Sequence, residues 1–314
     1  MFTSGFKKML AELLGKRVTF DVPMAKHTTF RVGGPADALA APADTRELIE
    51  LMSMLENSHV DWFVLGGGTN LLVKDSGVRG VVISLRQGFS EIKAGKTGRD
   101  SVLVHAGAGA RLSALCRYAL ENNLAGMNFA LGIPGTVGGA VIMNAGTWAG
   151  TVESVLAEID VLLVPDRPET IPGSRLCFNY RGLAWDDSMI AESGREPIIL
   201  TGRFELEPAG DRDQIAEAES MQAWRRQSQP TGYCAGCVFK NPSFEMPAGK
   251  LIDQAGLKGL CAGDAQVSEV HANFIVNLGG ASASDILHLM ETVRQKVRRV
   301  HGVELEPEIR IIGE

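Results

Sequence analysis

A mixed helix-and-strand protein, of the α/β or α+β class, is predicted by three features of this 314-residue sequence. A strand–helix–strand opening occupies residues 17–65. Short apolar segments of strand length, separated by Gly, Asp and Ser, then recur as far as residue 206. Near the C-terminus one long amphipathic helix precedes a final apolar strand.

Phe6, Met9, Leu10, Leu13 and Leu14 stand at helical spacing, so residues 4–15 predict a helix. Residues 17–40 predict two short strands around the turn-rich stretch Lys26–Pro35. Asp44 or Thr45 suits the N-cap of a helix over 44–57, and Val60–Leu65 reads as a strand ending at Gly66. Leu71–Lys74, Val81–Leu85 and Val102–Ala106 read as strands. Leu112, Leu115, Cys116 and Ala119 form one stripe of a helix over Arg111–Asn122, which places Cys116 in the core. Val155–Val164 and Pro197–Leu206 are further strands. Glu207–Asp211 reads as a linker, and Gln229-Pro230 ends the polar helix that follows it. A short helix near 248–255 and strands around 265–277 come next. The long helix opens at Ser282 or Ser284 and puts Ile286, Leu289, Met290, Val293, Val297 and Val300 on one face. Gly302 stops it, and Val303–Ile312 is the last strand.

The length suits two or three domains. Hydrophobic content of 45% with 22% charged residues is ordinary for a globular chain, so disorder is not expected. A net charge of −6 argues against nucleic-acid binding by overall charge, although it leaves room for a local basic pocket. The five cysteines are odd in number and scattered, unlike a disulfide framework. The N-terminal segment lacks the apolar core and cleavage site of a secretory signal, and no apolar run approaches the ~20 residues that span a bilayer. A reducing cytoplasm is the expected compartment.

Chemistry is concentrated in Gly236-Cys237-Val238-Phe239-Lys240-Asn241-Pro242, where a thiol, an ammonium and a carboxamide fall within five positions. Upstream lie two Gly-rich segments, Gly66-Gly67-Gly68-Thr69-Asn70 and Gly132-Ile133-Pro134-Gly135-Thr136-Val137-Gly138-Gly139. Small residues after a strand let backbone N–H groups approach phosphate oxygens. The first segment leads into a second strand rather than a helix, so it is not the dinucleotide fingerprint of a Rossmann unit, and no P-loop pattern is present. Two such cradles suit a long dinucleotide such as FAD. Each cluster alone also reads as a tight turn.

At these residues the chain resembles the UDP-N-acetylenolpyruvoylglucosamine reductase (MurB) family. Gly33-Gly34-Pro35-Ala36, Leu65–Val73, Gly132–Ala140, Asn144-Ala145-Gly146, Tyr180-Arg181, Gly236–Pro242, Ala248–Ile252, Ala255–Gly259, Val267-Ser268, His271–Asn277 and Leu305–Ile309 occur in the family's order. The resemblance covers nearly the whole chain and is to the shorter variant, which lacks an inserted tyrosine loop. It implies an α+β protein with a vanillyl-alcohol-oxidase-like (PCMH-type) FAD-binding domain of two α/β subdomains and a C-terminal α+β substrate domain. The implied boundaries are 1–207 for the FAD-binding region (core about 30–205), 208–302 for the substrate domain, and 303–314 for a C-terminal strand that carries Glu308 back toward the flavin.

The resemblance further implies non-covalent FAD, reduced by NADPH and then passing hydride to the enolpyruvyl methylene of UDP-N-acetylenolpyruvoylglucosamine. The product is UDP-N-acetylmuramate, for peptidoglycan. FAD is expected at Arg31, Gly66, Gly67, Gly68, Thr69, Asn70, Gly132, Ile133, Pro134, Gly135, Thr136, Gly138, Gly139, Asn144, Ala145 and Gly146. The expected catalytic residues are Arg181 to match the substrate carboxylate, Cys237 as proton donor, and Glu308 to help position or polarise the developing enol. Cys237 stands where the family usually has Ser, and Gly182-Leu183 where it often has an acidic residue and then Ser. Tyr180, Lys240, Asn241 and Gln266 are expected to bind substrate. The expected partner is this small molecule, with no nucleic acid, no membrane and a monomeric chain.

Cys234-Ala235-Gly236-Cys237 also reads as a C-x-x-C redox pair or half of a zinc site, although Cys261 and His271 complete the latter at an untidy spacing. No metal is expected. His105 and His271 read as packing residues in apolar surroundings, and so do Trp148, Trp185 and Trp224. Arg294, Lys296, Arg298 and Arg299 read as a solvated helix face. Two other function classes remain: a different non-covalent FAD oxidoreductase on the same scaffold, and a catalytically silent nucleotide-sugar binder.

Overall fold

The computed structural model describes residues 2–98, 100–211 and 213–314. In chain order the elements are α1 (Ser4–Leu14), β1 (Val18–Pro23), β2 (Pro35–Ala40), α2 (Thr45–Asn57), β3 (Trp62–Leu65), β4 (Leu71–Val73), β5 (Val78–Ser84), β6 (Ile92–Thr97) and β7 (Val102–Gly107). Then come α3 (Leu112–Glu121), β8 (Leu124–Ala125), α4 (Val137–Ile142), β9 (Gly146–Thr147), β10 (Gly150–Thr151), β11 (Leu156–Leu163), β12 (Arg167–Pro172), β13 (Cys177–Asn179), β14 (Gly182–Ala184), α5 (Asp187–Ser193) and β15 (Ile198–Pro208). The last elements are α6 (Gln214–Ser228), α7 (Ala248–Gln254), β16 (Cys261–Ala262), β17 (Ala265–Val267), β18 (Ile275–Asn277), α8 (Ala283–His301) and β19 (Arg310–Ile312).

The chain forms two compact units. Met1–Phe20, Ala38–Gly67 and Gly80–Ala223 make the first, and Asp21–Asp37, Gly68–Arg79 and Trp224–Glu314 make the second. The first holds an antiparallel sheet in the order β12-β11-β15-β7-β6, with β8 paired to the end of β15. It also holds the parallel pair β3 and β5. Its core joins Phe6, Leu10 and Leu14 of α1, Leu48, Leu51 and Leu55 of α2, Leu112 and Leu115 of α3, and sheet residues such as Ile159, Val161 and Phe204. A buried Leu contributes about 1.5–3 kcal/mol relative to an exposed one, so these stripes hold the helices in place. Asp44, one of the two expected N-caps, accepts from Glu47 N (2.8 Å), and Thr3 caps α1 by accepting from Phe6 N (3.2 Å). Cys116 is buried, as expected.

The second unit packs Ile286, Leu289, Met290, Val293 and Val297 of α8 against Val238, Phe239, Leu251, Ile252, Val267, Ile275 and Leu305. Ser282 and Asp285 form a capping box at the start of α8, and Gly302, left-handed at φ 69°, ends it. The Asp75 carboxylate also accepts from Ala283 N (2.8 Å), Ser284 N (2.9 Å) and Ser284 Oγ (2.6 Å). β16, β17 and β18 form an antiparallel sheet, and β19 runs parallel to β4.

Several expectations need correction. β6 is absent from the sequence reading because Ile92-Lys93-Ala94-Gly95 is too polar to look like a strand, and its place at the sheet edge tolerates that. Pro208 belongs to β15, opposite Leu124, rather than to a linker. Val300 is 53% exposed, because the α8 stripe leaves the core after Val297. Trp148 and Trp224 are exposed, and only Trp185 is buried. His105 lies between Lys93 and Arg203 on neighbouring strands, not in apolar surroundings. Burial and the Arg203 charge hold its pKa below the ordinary imidazole value.

Candidate active site

In the first unit the two Gly-rich segments meet. A β-carbon on Gly66 would lie 2.9 Å from Thr136 Oγ1. Residues 135–138 are held along 108–112 by Leu112 N to Gly135 O (3.0 Å), Val137 N to Ala110 O (2.9 Å) and Gly138 N to Ala108 O (2.9 Å). Gly138 is needed there, since a β-carbon would stand 2.9 Å from Ala108 Cβ. Gly132 (φ 77°) and Gly135 (φ 131°) take left-handed turns that an L side chain would resist. Thr136 caps α4, accepting from Gly139 N at 3.5 Å.

Arg181 and Tyr180 form the two-residue tip of the β13–β14 hairpin. Arg181 is left-handed at φ 60°, a conformation that costs a non-Gly residue about 1–2 kcal/mol. Its Nη1 donates to Gly146 O (3.0 Å), and its guanidinium lies 5.3 Å from the Tyr180 ring centroid. Asn144 exchanges hydrogen bonds with Glu153, at 3.1 Å each way. The catalytic candidate Arg181 is therefore fixed to the loop Asn144-Ala145-Gly146, itself expected to hold cofactor.

In the second unit Gly68 (φ 65°) packs under His27, whose carbonyl a β-carbon would strike at 2.0 Å. Asn70 Nδ2 donates to Glu308 O (3.1 Å), and Arg310 N donates to Asn70 O (3.0 Å). Cys237 is half-buried, and the residues after it are held on two edges. Glu308 N donates to Val238 O (2.7 Å) and Lys240 N to Glu306 O (2.8 Å), with Phe239 opposite Pro307. On the other edge Val238 N donates to Asn273 O (2.8 Å). Cys237 and Glu308 thus sit on adjacent antiparallel segments.

The expected substrate residues are placed by clear contacts. Lys240 Nζ is 3.5 Å from Glu306, Asn241 Oδ1 accepts from Ala248 N (3.0 Å), and Gln266 Nε2 donates to Cys261 Sγ (3.4 Å). Arg31 folds with the second unit, its guanidinium 4.8 Å from the Tyr233 ring centroid. Burial pushes the Cys234 thiol up, offset in part by the Gly236 N–H. Burial likewise holds His271 below the ordinary imidazole value, with Nδ1 accepting from Asn273 N (3.2 Å). Among the described residues no group of three or more His, Cys, Asp and Glu is placed to hold a metal ion. The sequence reading did not single out Asn273 or Tyr233. The available signal was the pair Asn273 and Asn277, two amides four apart bracketing an apolar run.

Comparisons with known proteins bear on the family and the fold. A profile described as an FAD binding domain matches residues 36–166, and one described as the C-terminal domain of UDP-N-acetylenolpyruvoylglucosamine reductase matches 228–312. The chain is 46% identical to the UDP-N-acetylenolpyruvoylglucosamine reductase of Desulfosudis oleivorans, over 99% of both chains. This chain belongs to the UDP-N-acetylenolpyruvoylglucosamine reductase family. The Syntrophus aciditrophicus reductase is 40% identical over 98% of this chain and 96% of its own. The crystal structure of the reductase (MurB) from Thermus caldophilus superposes with a TM-score of 0.78 at 33% identity, covering 94% of this chain and 98% of that one. The α+β class and the FAD-binding domain expected for a reductase of this family are both present.

Proposed function

We propose that this chain is the FAD- and NADPH-dependent reductase that saturates the enolpyruvyl group of UDP-N-acetylenolpyruvoylglucosamine, giving UDP-N-acetylmuramate for peptidoglycan synthesis. The observation that carries this reading is the meeting of the two Gly-rich segments at Gly66 and Thr136, in a chain of this family. The residues present fit FAD: within the first unit, left-handed Gly132 and Gly135 offer backbone N–H groups without side chains to obstruct a diphosphate.

FAD, when bound, accepts hydride from NADPH and supplies it to the enolpyruvyl methylene carbon. The protein must stabilise the charge that then develops on the adjacent carbon and its carboxylate. Arg181, oriented by its bond to Gly146 O, supplies a forked cation that matches that carboxylate. Cys237 gives its proton to the adjacent carbon, completing the addition of one hydride and one proton across the double bond, and the thiolate regains a proton from solvent. Glu308 polarises the developing enol as the protonated acid or through a bridging water, since an ionised carboxylate beside an enolate would be repulsive. Tyr180, Lys240, Asn241 and Gln266 bind the nucleotide sugar, and Arg31 with the two Gly-rich segments and Asn144–Gly146 bind FAD. Residues 1–207 supply the FAD-binding region, although 21–37 and 68–79 fold with the second unit; 208–302 supply the substrate domain, and 303–314 return as a segment whose strand is β19 alone. Five free thiols, with Cys177 and Cys261 exposed, suit a reducing cytoplasm, where the chain works as a monomer. No helix among the described residues is long and apolar enough to cross a membrane.

The test is optical. Purified protein is expected to be yellow, to release the chromophore on denaturation and to bleach with NADPH. A preparation that takes up no FAD overturns the proposal.

A further inference from the structure

We propose that Asn273 is a positioning residue for the Cys237 thiol, acting through the backbone of Val238 and Phe239. The inference rests on the reading of Cys237 as proton donor. Asn273 is 3% exposed, and its carboxamide pairs at two points with the backbone of Phe239, spanning the peptide groups on either side of its α-carbon: Nδ2 donates to Phe239 O (2.8 Å) and Oδ1 accepts from Phe239 N (3.0 Å). Its own carbonyl accepts from Val238 N (2.8 Å). A side chain therefore does what a neighbouring strand would do, along the edge opposite Glu306–Glu308.

This clamp bears on Cys237 because the residue before it is Gly236, left-handed at φ 78°, where a β-carbon would meet nothing within 4 Å. On the N-terminal side the backbone of Cys237 thus follows a glycine with φ freedom, and on the C-terminal side it is held by the bonds of Val238 and Phe239. The clamp is itself anchored. His271 Nδ1 accepts from Asn273 N (3.2 Å), and His271 itself packs against Gly249 of α7, where a β-carbon would stand 3.1 Å from its Cε1. Only an amide presents a donor and an acceptor in this arrangement; an ionised carboxylate of the same shape would set an oxygen against Phe239 O.

The test uses the purified protein carrying Asn273→Asp, with Asn273→Ser as a second variant should the first not fold. Iodoacetamide labelling is followed peptide by peptide, with exposed Cys177 and Cys261 as internal controls. The rate at Cys237 is expected to change about tenfold while the controls hold. Reoxidation of the NADPH-reduced protein by the enolpyruvyl sugar nucleotide is expected to slow by about 100-fold, the scale of a ~1 Å misplacement. Flavin reduction by NADPH stays within about twofold, and KM for the sugar nucleotide is unchanged. Wild-type labelling with wild-type reoxidation, or a parallel fall of both half-reactions, overturns the inference. Cys237→Ala, run alongside, separates the two levels. If it reoxidises normally, the proton-donor reading and this inference fall together. If it is blocked while Asn273→Asp is normal, only this inference falls.

Discussion

The Asn70 carboxamide donates to the Glu308 carbonyl at 3.1 Å, across 238 residues of sequence. Arg310 N returns a bond to Asn70 O at 3.0 Å, and β4 and β19 continue the pairing from Leu71 and Arg310 onward. A residue expected to serve FAD thus holds the backbone of one expected to act on substrate. Asn70→Ala is predicted to lower stability by about 0.5–1.5 kcal/mol, the net worth of one such hydrogen bond. It should slow the sugar-nucleotide half-reaction more than it weakens FAD binding. Chemical denaturation and stopped-flow absorbance check both, and an effect on FAD affinity alone would contradict it.

Arg181 is held in a left-handed turn and bonded to Gly146 O. Arg181→Lys keeps the charge but loses the fork. The loss of an oriented donor in an oxyanion site costs about 2.7–4 kcal/mol, so kcat for sugar-nucleotide reduction should fall by about 10²–10³. Flavin reduction by NADPH, followed at the flavin band, should persist.

Gly66→Ala would set a β-carbon 2.9 Å from Thr136 Oγ1, too close unless one segment moves. FAD affinity is expected to drop by about tenfold or more, or ~1.4 kcal/mol. Fluorescence titration of the flavin-depleted variant measures this, and wild-type affinity would show that contact between the two segments is not required for FAD.

Asp75 links the first Gly-rich region's flank to α8. Burial by itself would raise its pKa; the Ser284 hydroxyl and the N–H groups of Ala283 and Ser284 outweigh that and hold it below the ordinary 3.8. Because the folded value is depressed, the stabilisation is present in full above 3.8 and is lost as pH falls through the lower folded value. Asp75→Ala should therefore cost about 0.5–2 kcal/mol near neutral pH, with the gap to wild type closing on acidification below 3.8. Urea denaturation at several pH values measures the gap, and one that widens in acid would contradict the sign.

Much of this architecture was legible where local chemistry decides it. α8 shows its capping box, its apolar stripe to Val297 and its Gly302 stop in the sequence itself. The Gly-rich segments announce themselves because positive φ demands glycine at 68, 132 and 135 and close approach demands it at 66 and 138. What stayed hidden depends on partners distant in sequence. Nothing local to Asn70 names Glu308, and nothing in His271-Ala272-Asn273 shows that its amide stands in for a strand beside Phe239. β6 escaped because an edge strand does not need the apolar alternation that reveals an inner one, and Val300 was misplaced because the helical stripe drifts out of register with the core. The resemblance to the reductase family, rather than periodicity, supplied the roles of Arg181, Cys237 and Glu308.

The most direct measurement is the second half-reaction of Cys237 variants, mixed as NADPH-reduced protein with the enolpyruvyl sugar nucleotide and followed at the flavin band. Cys237→Ser should regain its yellow colour at a substantial fraction of the wild-type rate, whereas Cys237→Ala should bleach normally and stay bleached. Recovery of colour by Cys237→Ala at the wild-type rate would contradict the account.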